Sequence, residues 1–287
     1  MALSIFTNAS SMASVNALNK SNSMLSTAME RLGTGKRINS AADDAAGLQI
    51  ATRLQGQSNG MSVAQRNISD ATALLQTAEG AFDEVSNIMY RMKDLATQAA
   101  NDTNGTEDRK ALQSEMDELN SELDNIMNNT KYAGESLFAS GGKFSSAMNF
   151  QIGASTSESL KVDVSKELST VKGASGLGAL KSASGASGGA LLTSSGAKDM
   201  ITKVENAISQ VGTLRSKLGA NINRLGHTAA NLANMKDNTD LALGNIRDAD
   251  FASEASSMTR NQMLAQTSMS MLKQSNSMSG MVMNLLG

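Results

Sequence analysis

Four local patterns in this chain hold side chains able to do chemistry. Gly33–Lys36 reads Gly-Thr-Gly-Lys, a run of the kind that wraps phosphate with backbone N–H groups and a terminal ammonium. A complete phosphate loop needs a glycine where Glu30 stands and a hydroxyl where Arg37 stands, so nucleotide binding is not expected. His227 is the only histidine, followed by Thr228 and Ala229, with no second ligand for zinc and no partner for a serine relay. Asp248 and Asp250 are two apart and point to different faces of a helix, which suits capping or pairing with Arg247 better than acid–base catalysis. The methionines from Met258 to Met283 are irregularly spaced, which suits adaptable packing rather than metal capture. No catalytic residue, cofactor site or metal site is therefore predicted, and the chain is not expected to be an enzyme.

The elements that must position these residues are long helices. Met61, Ala64, Ile68, Ala71, Leu75, Ala78, Phe82, Val85, Met89, Met92, Ala96 and Ala99 follow one another at steps of three and four without a break. That is a heptad seam, and at about 1.5 Å per residue it predicts a rod roughly 55–60 Å long. Ile68, Leu75, Phe82, Val85, Met89 and Met92 are its large members. Proline is absent where an average chain carries about 5%, so no helix is kinked by that route. Trp is absent and aromatics are 3% of the chain, which leaves Ala, Leu, Met and Ile to fill a core.

Composition also excludes. Cysteine is absent, so there is no disulfide framework and no thiolate chemistry. Lys and Arg number 25 against 27 Asp and Glu, without a basic run, so nucleic acid is not an expected partner. No stretch reaches the roughly 18–20 apolar residues that span a bilayer, and MALSIFTNASSM lacks the basic start and apolar core of a signal peptide. Membrane insertion and a cleaved signal are thus not expected.

Along the chain, Val15, Leu18, Leu25, Met29 and Leu32 predict a first helical arm over 1–40, with Asn22 interrupting its seam. Ser40 and Asp43–Asp44 read as the cap and acidic first turn of the next helix. The rod occupies 41–172. Its second helix is capped by Thr106 and carries Leu112, Met116, Leu119, Leu123 and Ile126 antiparallel to the first. FQIGA and LKVDV alternate around STSES and predict a β-hairpin near 148–165, the one clear strand signal. In 173–196, Gly, Ala and Ser supply 18 of 24 residues, which predicts a surface loop. A return helix over 197–245 has the seam Ile201, Val204, Ile208, Val211, Leu218, Ile222, Leu225, Ala229 and Leu232, missing a step at Arg215. A carboxyl arm over 246–287 carries Phe251, Ala255, Met258, Ala265, Met269 and Leu272, with Leu285 and Leu286 near its end; Gln262 and Asn276 interrupt it. The fold class is mainly α: a long antiparallel helical hairpin or coiled-coil rod, one small β-hairpin and terminal helical arms.

The ends are poor in charge. Residues 1–29 carry only Lys20, and residues 255–287 only Arg260 and Lys273. Such helices are too polar to fold alone and too apolar to stay solvated, so they are expected to order against copies of the same chain.

At these residues the chain resembles bacterial flagellin. LNKSNSMLSTAMERLGTGKRINSAADDAAGLQIATRL is similar to the family's amino-terminal signature, and IRDADFASEASSMTRNQMLAQ with VMNLLG to its carboxyl counterpart. The short middle looks most like compact flagellins of the lateral or swarming type. The resemblance implies an extracellular filament subunit for motility, a homopolymer whose arms form an inner tube of helices with the rod packed outside it. It also implies export by the flagellar type III route, a secretion chaperone on the carboxyl arm, and contacts with flagellar cap and junction proteins. A contact for the flagellin-sensing toll-like receptor carries over to Arg91, Leu95, Gln98 and Glu115, which equally suit rod packing. A final Gly287 in place of the family's usual arginine weakens sensing by receptors that read the carboxyl tail. The alternative is a flagellar junction protein of related helical design or a secreted coiled-coil adhesin.

Overall fold

The computed structural model describes residues 8–184 and 189–286, with the side chains of 182–184 and 279–286 left out. Leu285 and Leu286 thus fall outside the described side chains, and Gly287 outside the described residues. Seven α-helices and two hairpins of paired short strands succeed one another among the described residues. They divide into two compact units, residues 59–236 and residues 1–58 with 237–287.

Within the 59–236 unit, α2 (Ala45–Ala99), α3 (Thr106–Asn129) and α6 (Ser194–Arg247) contribute to one core. All twelve predicted seam positions of α2 are buried, none more than 3% exposed. Leu74, Ile88 and Leu95 are buried as well, with Ala81 partly so. Their spacing of seven widens the stripe, so α2 packs as a bundle helix touching two neighbours rather than as one strand of a two-helix coiled coil. Arg215 of α6 reaches Glu79 at 2.6 Å and Asp83 at 2.9 Å, and Lys93 reaches Glu205 at 2.9 Å, which makes α2 and α6 antiparallel. Arg91 to Glu115 at 2.6 Å and the Arg109 Nε donating to the Ala99 carbonyl at 3.0 Å do the same for α2 and α3.

The gap at Arg215 closes in this light. The central line of α6 runs through Met200, Val204, Ala207, Val211, Leu214, Leu218, Leu225 and Leu232, all buried. Ile201, Ile208 and Ile222 form its half-buried flank, and on that flank Arg215 turns to the carboxylates of α2. In α3 the central line is Gln113, Met116, Asn120, Leu123 and Met127, with Leu112, Leu119 and Ile126 beside it. The cap of α3 is Gly105, whose N–H donates to Asp108 Oδ2 at 3.0 Å, so Thr106 is already inside the helix.

The hairpin predicted near 148–165 is β3 (Met148–Gln151) paired antiparallel with β4 (Ser159–Val162), Phe150 opposite Leu160. A second, shorter hairpin went unpredicted: β1 (Lys131–Tyr132) and β2 (Glu135–Ser136), joined by Ala133 and Gly134 at φ 51° and 83°. Two positive φ values in a two-residue loop match the twist of the strands, and two-residue strands leave no period to read. After it, Leu137, Phe138 and Phe144 enter the core, where Phe138 packs against Phe82 at 4.6 Å between ring centres.

The stretch 173–196 is not a plain surface loop. It contains α5 (Leu177–Ser184), a 3-10 turn at Ala190–Leu192 and the start of α6, and it buries Leu177, Leu180 and Leu191. Lys181 pairs with Asp124 of α3, and Gln113 Oε1 accepts from the Leu191 N–H at 2.9 Å. Its bulk composition hides the leucines that dock it. Just before it, α4 (Ser165–Lys172) buries Leu168 and Val171.

Candidate assembly interface

The other unit is built on α1 (Ala9–Thr34) and α7 (Phe251–Leu286), which pack along each other. Asn8 caps α1 by accepting from the Ser10 and Ser11 N–H groups at 3.1 and 3.2 Å. Gly35, at φ 71°, ends α1 in the left-handed conformation while its N–H donates to the Arg31 carbonyl at 2.8 Å. Gly33–Lys36 is therefore a helix terminus, and Lys36 continues into a backbone bridge with Asp248. Asp250 Oδ1 caps α7, accepting from the Ala252 N–H at 2.9 Å, which is the capping role expected there. Asp43 and Asp44 precede α2 instead of forming its first turn. Asp44 Oδ1 accepts from the Gly47 N–H at 2.8 Å, and Asp43 takes the N–H groups of Asn39 and Ser40. Those backbone donors, Ser40 first, hold the Asp43 carboxyl below its ordinary value.

The two helices are antiparallel. Asn8 Nδ2 donates to Ser275 Oγ at 2.9 Å at one end, and Arg31 lies 3.5 Å from Glu254 at the other. The less exposed positions of α1 include Ser14, Leu18, Ser21, Leu25, Ala28 and Leu32; those of α7 include Met258, Asn261, Ala265, Ser268, Leu272 and Ser275. Both sets step by three and four, so each arm has an unbroken seam, but one made largely of small and polar residues. Leu18, Leu25, Leu32, Met258 and Leu272 fall where predicted. Val15, Met29, Phe251 and Met269 do not: all are exposed, as are Asn22, Gln262 and Asn276, the supposed interruptions. The sequence pattern follows large apolar side chains, and these four lie on the outer face.

That outer face is unusual for a solvated surface. Met12, Met24, Met29, Met263, Leu264, Met269, Met271 and Met278 are each about half exposed or more, on helices carrying almost no charge. Leu264, Met271 and Met278 recur every seven residues and form a continuous stripe along α7.

The profile of the bacterial flagellin N-terminal helical region matches residues 5–143, and that of the C-terminal helical region matches residues 201–286. The flagellin of Bacillus subtilis is 36% identical over 300 aligned positions, covering 97% of this chain and 98% of its own. The chain belongs to the bacterial flagellin family. Polar flagellin C of Vibrio parahaemolyticus is 32% identical over 386 positions, with both chains fully covered. That alignment exceeds the 287 residues present here, so the Vibrio flagellin holds sequence this flagellin lacks. A crystal structure of Bacillus cereus flagellin covers 58% of the chain and 88% of its own at 30% identity, with a TM-score of 0.47. As a flagellin, the chain is a structural subunit of the extracellular filament, and the junction-protein and adhesin alternative is not favoured.

The residues carried over for the toll-like receptor are split by the fold. Arg91 and Glu115 pair with each other at the surface, their side chains 54% and 43% exposed, and Gln98 is exposed. Leu95 has no exposed surface; it belongs to the core, one turn below Arg91. It is a packing residue and cannot touch a receptor docked on this face.

Proposed function

We propose that α1 and α7 polymerise this flagellin by burying their outer methionine and leucine faces against neighbouring subunits. The observation that carries this is the exposure of seven methionines on two helices whose mutual seam is already filled by other side chains. A contact between unlike faces whose rotation does not close makes an open helical polymer. Self-association is the occupant that fits, because the face is apolar, nearly uncharged and carried by every subunit. In the same reading the subunit is exported by the flagellar type III route, a secretion chaperone covers the carboxyl arm until then, and cap and junction proteins meet the arms at the filament's ends. Any contact with a toll-like receptor uses exposed Arg91, Gln98 and Glu115, with Leu95 supporting them from beneath.

Seeded polymerisation tests the reading. Protein lacking 256–287 should add nothing to filament seeds, in sedimentation and by electron microscopy, while the intact chain elongates them. Elongation by the truncated chain would overturn the model.

A further inference from the structure

Sulfur in this chain is methionine alone, 19 residues with no cysteine, so a mild two-electron oxidant has only thioethers to attack. Among the described side chains two groups stand at the extremes, with Met148, Met235 and Met258 between them. Met61, Met89, Met92, Met116, Met127 and Met200 are buried in the core of the 59–236 unit, at 4% exposure or less. Met12, Met24, Met29, Met263, Met269, Met271 and Met278 stand 47% to 62% exposed on α1 and α7. Oxidants therefore reach the outer face of the arms long before the core.

We propose that these arm methionines are a reversible oxidation site that blocks polymerisation of the free subunit. The proposal rests on the reading that this face is buried in the filament. A thioether sulfur attacks one oxygen of hydrogen peroxide; the S=O bond forms, the O–O bond breaks, and the departing oxygen leaves with both protons as water. Sulfur loses two electrons and the peroxide gains them. The product is a polar, strongly accepting group on a face that must become dry. A methionine sulfoxide reductase reverses the step, its dithiol supplying two electrons and releasing the oxygen as water. Burial in the polymer hides the same sulfurs, so the switch acts between synthesis and assembly.

The test treats the full-length monomer with limiting hydrogen peroxide, maps sulfoxide by mass spectrometry, and measures seeded elongation. Sulfoxide is expected on the arm peptides with the core peptides unmodified, and elongation is expected to fall at least about tenfold. Incubation with the two reductases, one for each sulfoxide epimer, restores it. A variant with leucine at all seven positions is expected to elongate under peroxide, since leucine keeps the apolar volume without the sulfur; Met235→Leu, exposed on α6, gives no protection. Normal elongation by arm-oxidised wild type, or lost elongation that the reductases leave unrestored, overturns the switch. Arm sulfurs in preformed filaments that oxidise as fast as in monomer overturn the burial reading instead.

Discussion

Arg91 and Leu95 sit one turn apart on α2 and do opposite jobs, a division that the sequence alone does not show. Leu95→Ala leaves a cavity in a fully buried site and should destabilise the 59–236 unit by about 2–5 kcal/mol, read as a lower denaturant midpoint. Arg91→Ala removes an exposed ion pair and should cost no more than about 1 kcal/mol. Glu167 gives a pH handle. The Lys217 ammonium donating to its carboxylate, more than any other cause, holds it below the ordinary 4.5. A depressed folded-state value means the pair stabilises fully above pH 4.5 and is lost as pH falls through the folded-state value. Acid titration of unfolding should show that loss in the wild type and a shallower one in Lys217→Met. Gln113 marks where residue-level legibility ends. It lies on the central line of α3 and bonds both the Leu191 N–H and Asp117, yet an amide carries no apolar signal to place it there.

For whole helices, legibility depended on what fills the seam. In α2 an apolar residue, large or alanine, holds every seam position, so all twelve are readable. In α1 and α7 the inner seam is Ser, Ala and Asn with a few leucines and Met258, while seven other methionines lie outside, so hydrophobicity alone follows a line partly rotated toward the wrong face. This separates two kinds of defect. Leu25→Asp places a charge in the α1–α7 seam and should lower helicity of the monomer as well as stop polymerisation. Met271→Asp, on the outer stripe at 62% exposure, should leave monomer helicity unchanged by circular dichroism and still stop polymerisation. Equal loss of helicity in both variants would place Met271 in the wrong contact.

At the scale of the whole molecule the sequence puts the arm boundaries near 40 and 246, whereas the compact units are residues 59–236 and residues 1–58 with 237–287; composition also misleads about the middle. Counting Gly, Ala and Ser over 173–196 makes a dispensable loop; the few leucines within that stretch make it part of the core. Deleting 178–192 removes Leu180 and Leu191, both fully buried, along with the Lys181–Asp124 pair and the Leu191 N–H that donates to Gln113 Oε1. Each lost leucine should cost about 2–5 kcal/mol, and the two together a large part of the roughly 5–15 kcal/mol that stabilises an ordinary domain. The deleted protein is therefore expected to show a cooperative transition at markedly lower temperature than the intact chain, with Leu180→Ala and Leu191→Ala each accounting for part of the drop. Its arms would be untouched, so whatever polymer it still forms should grow only below that lowered transition. A transition temperature equal to that of the intact chain would mean that 173–196 is the plain loop its composition suggests.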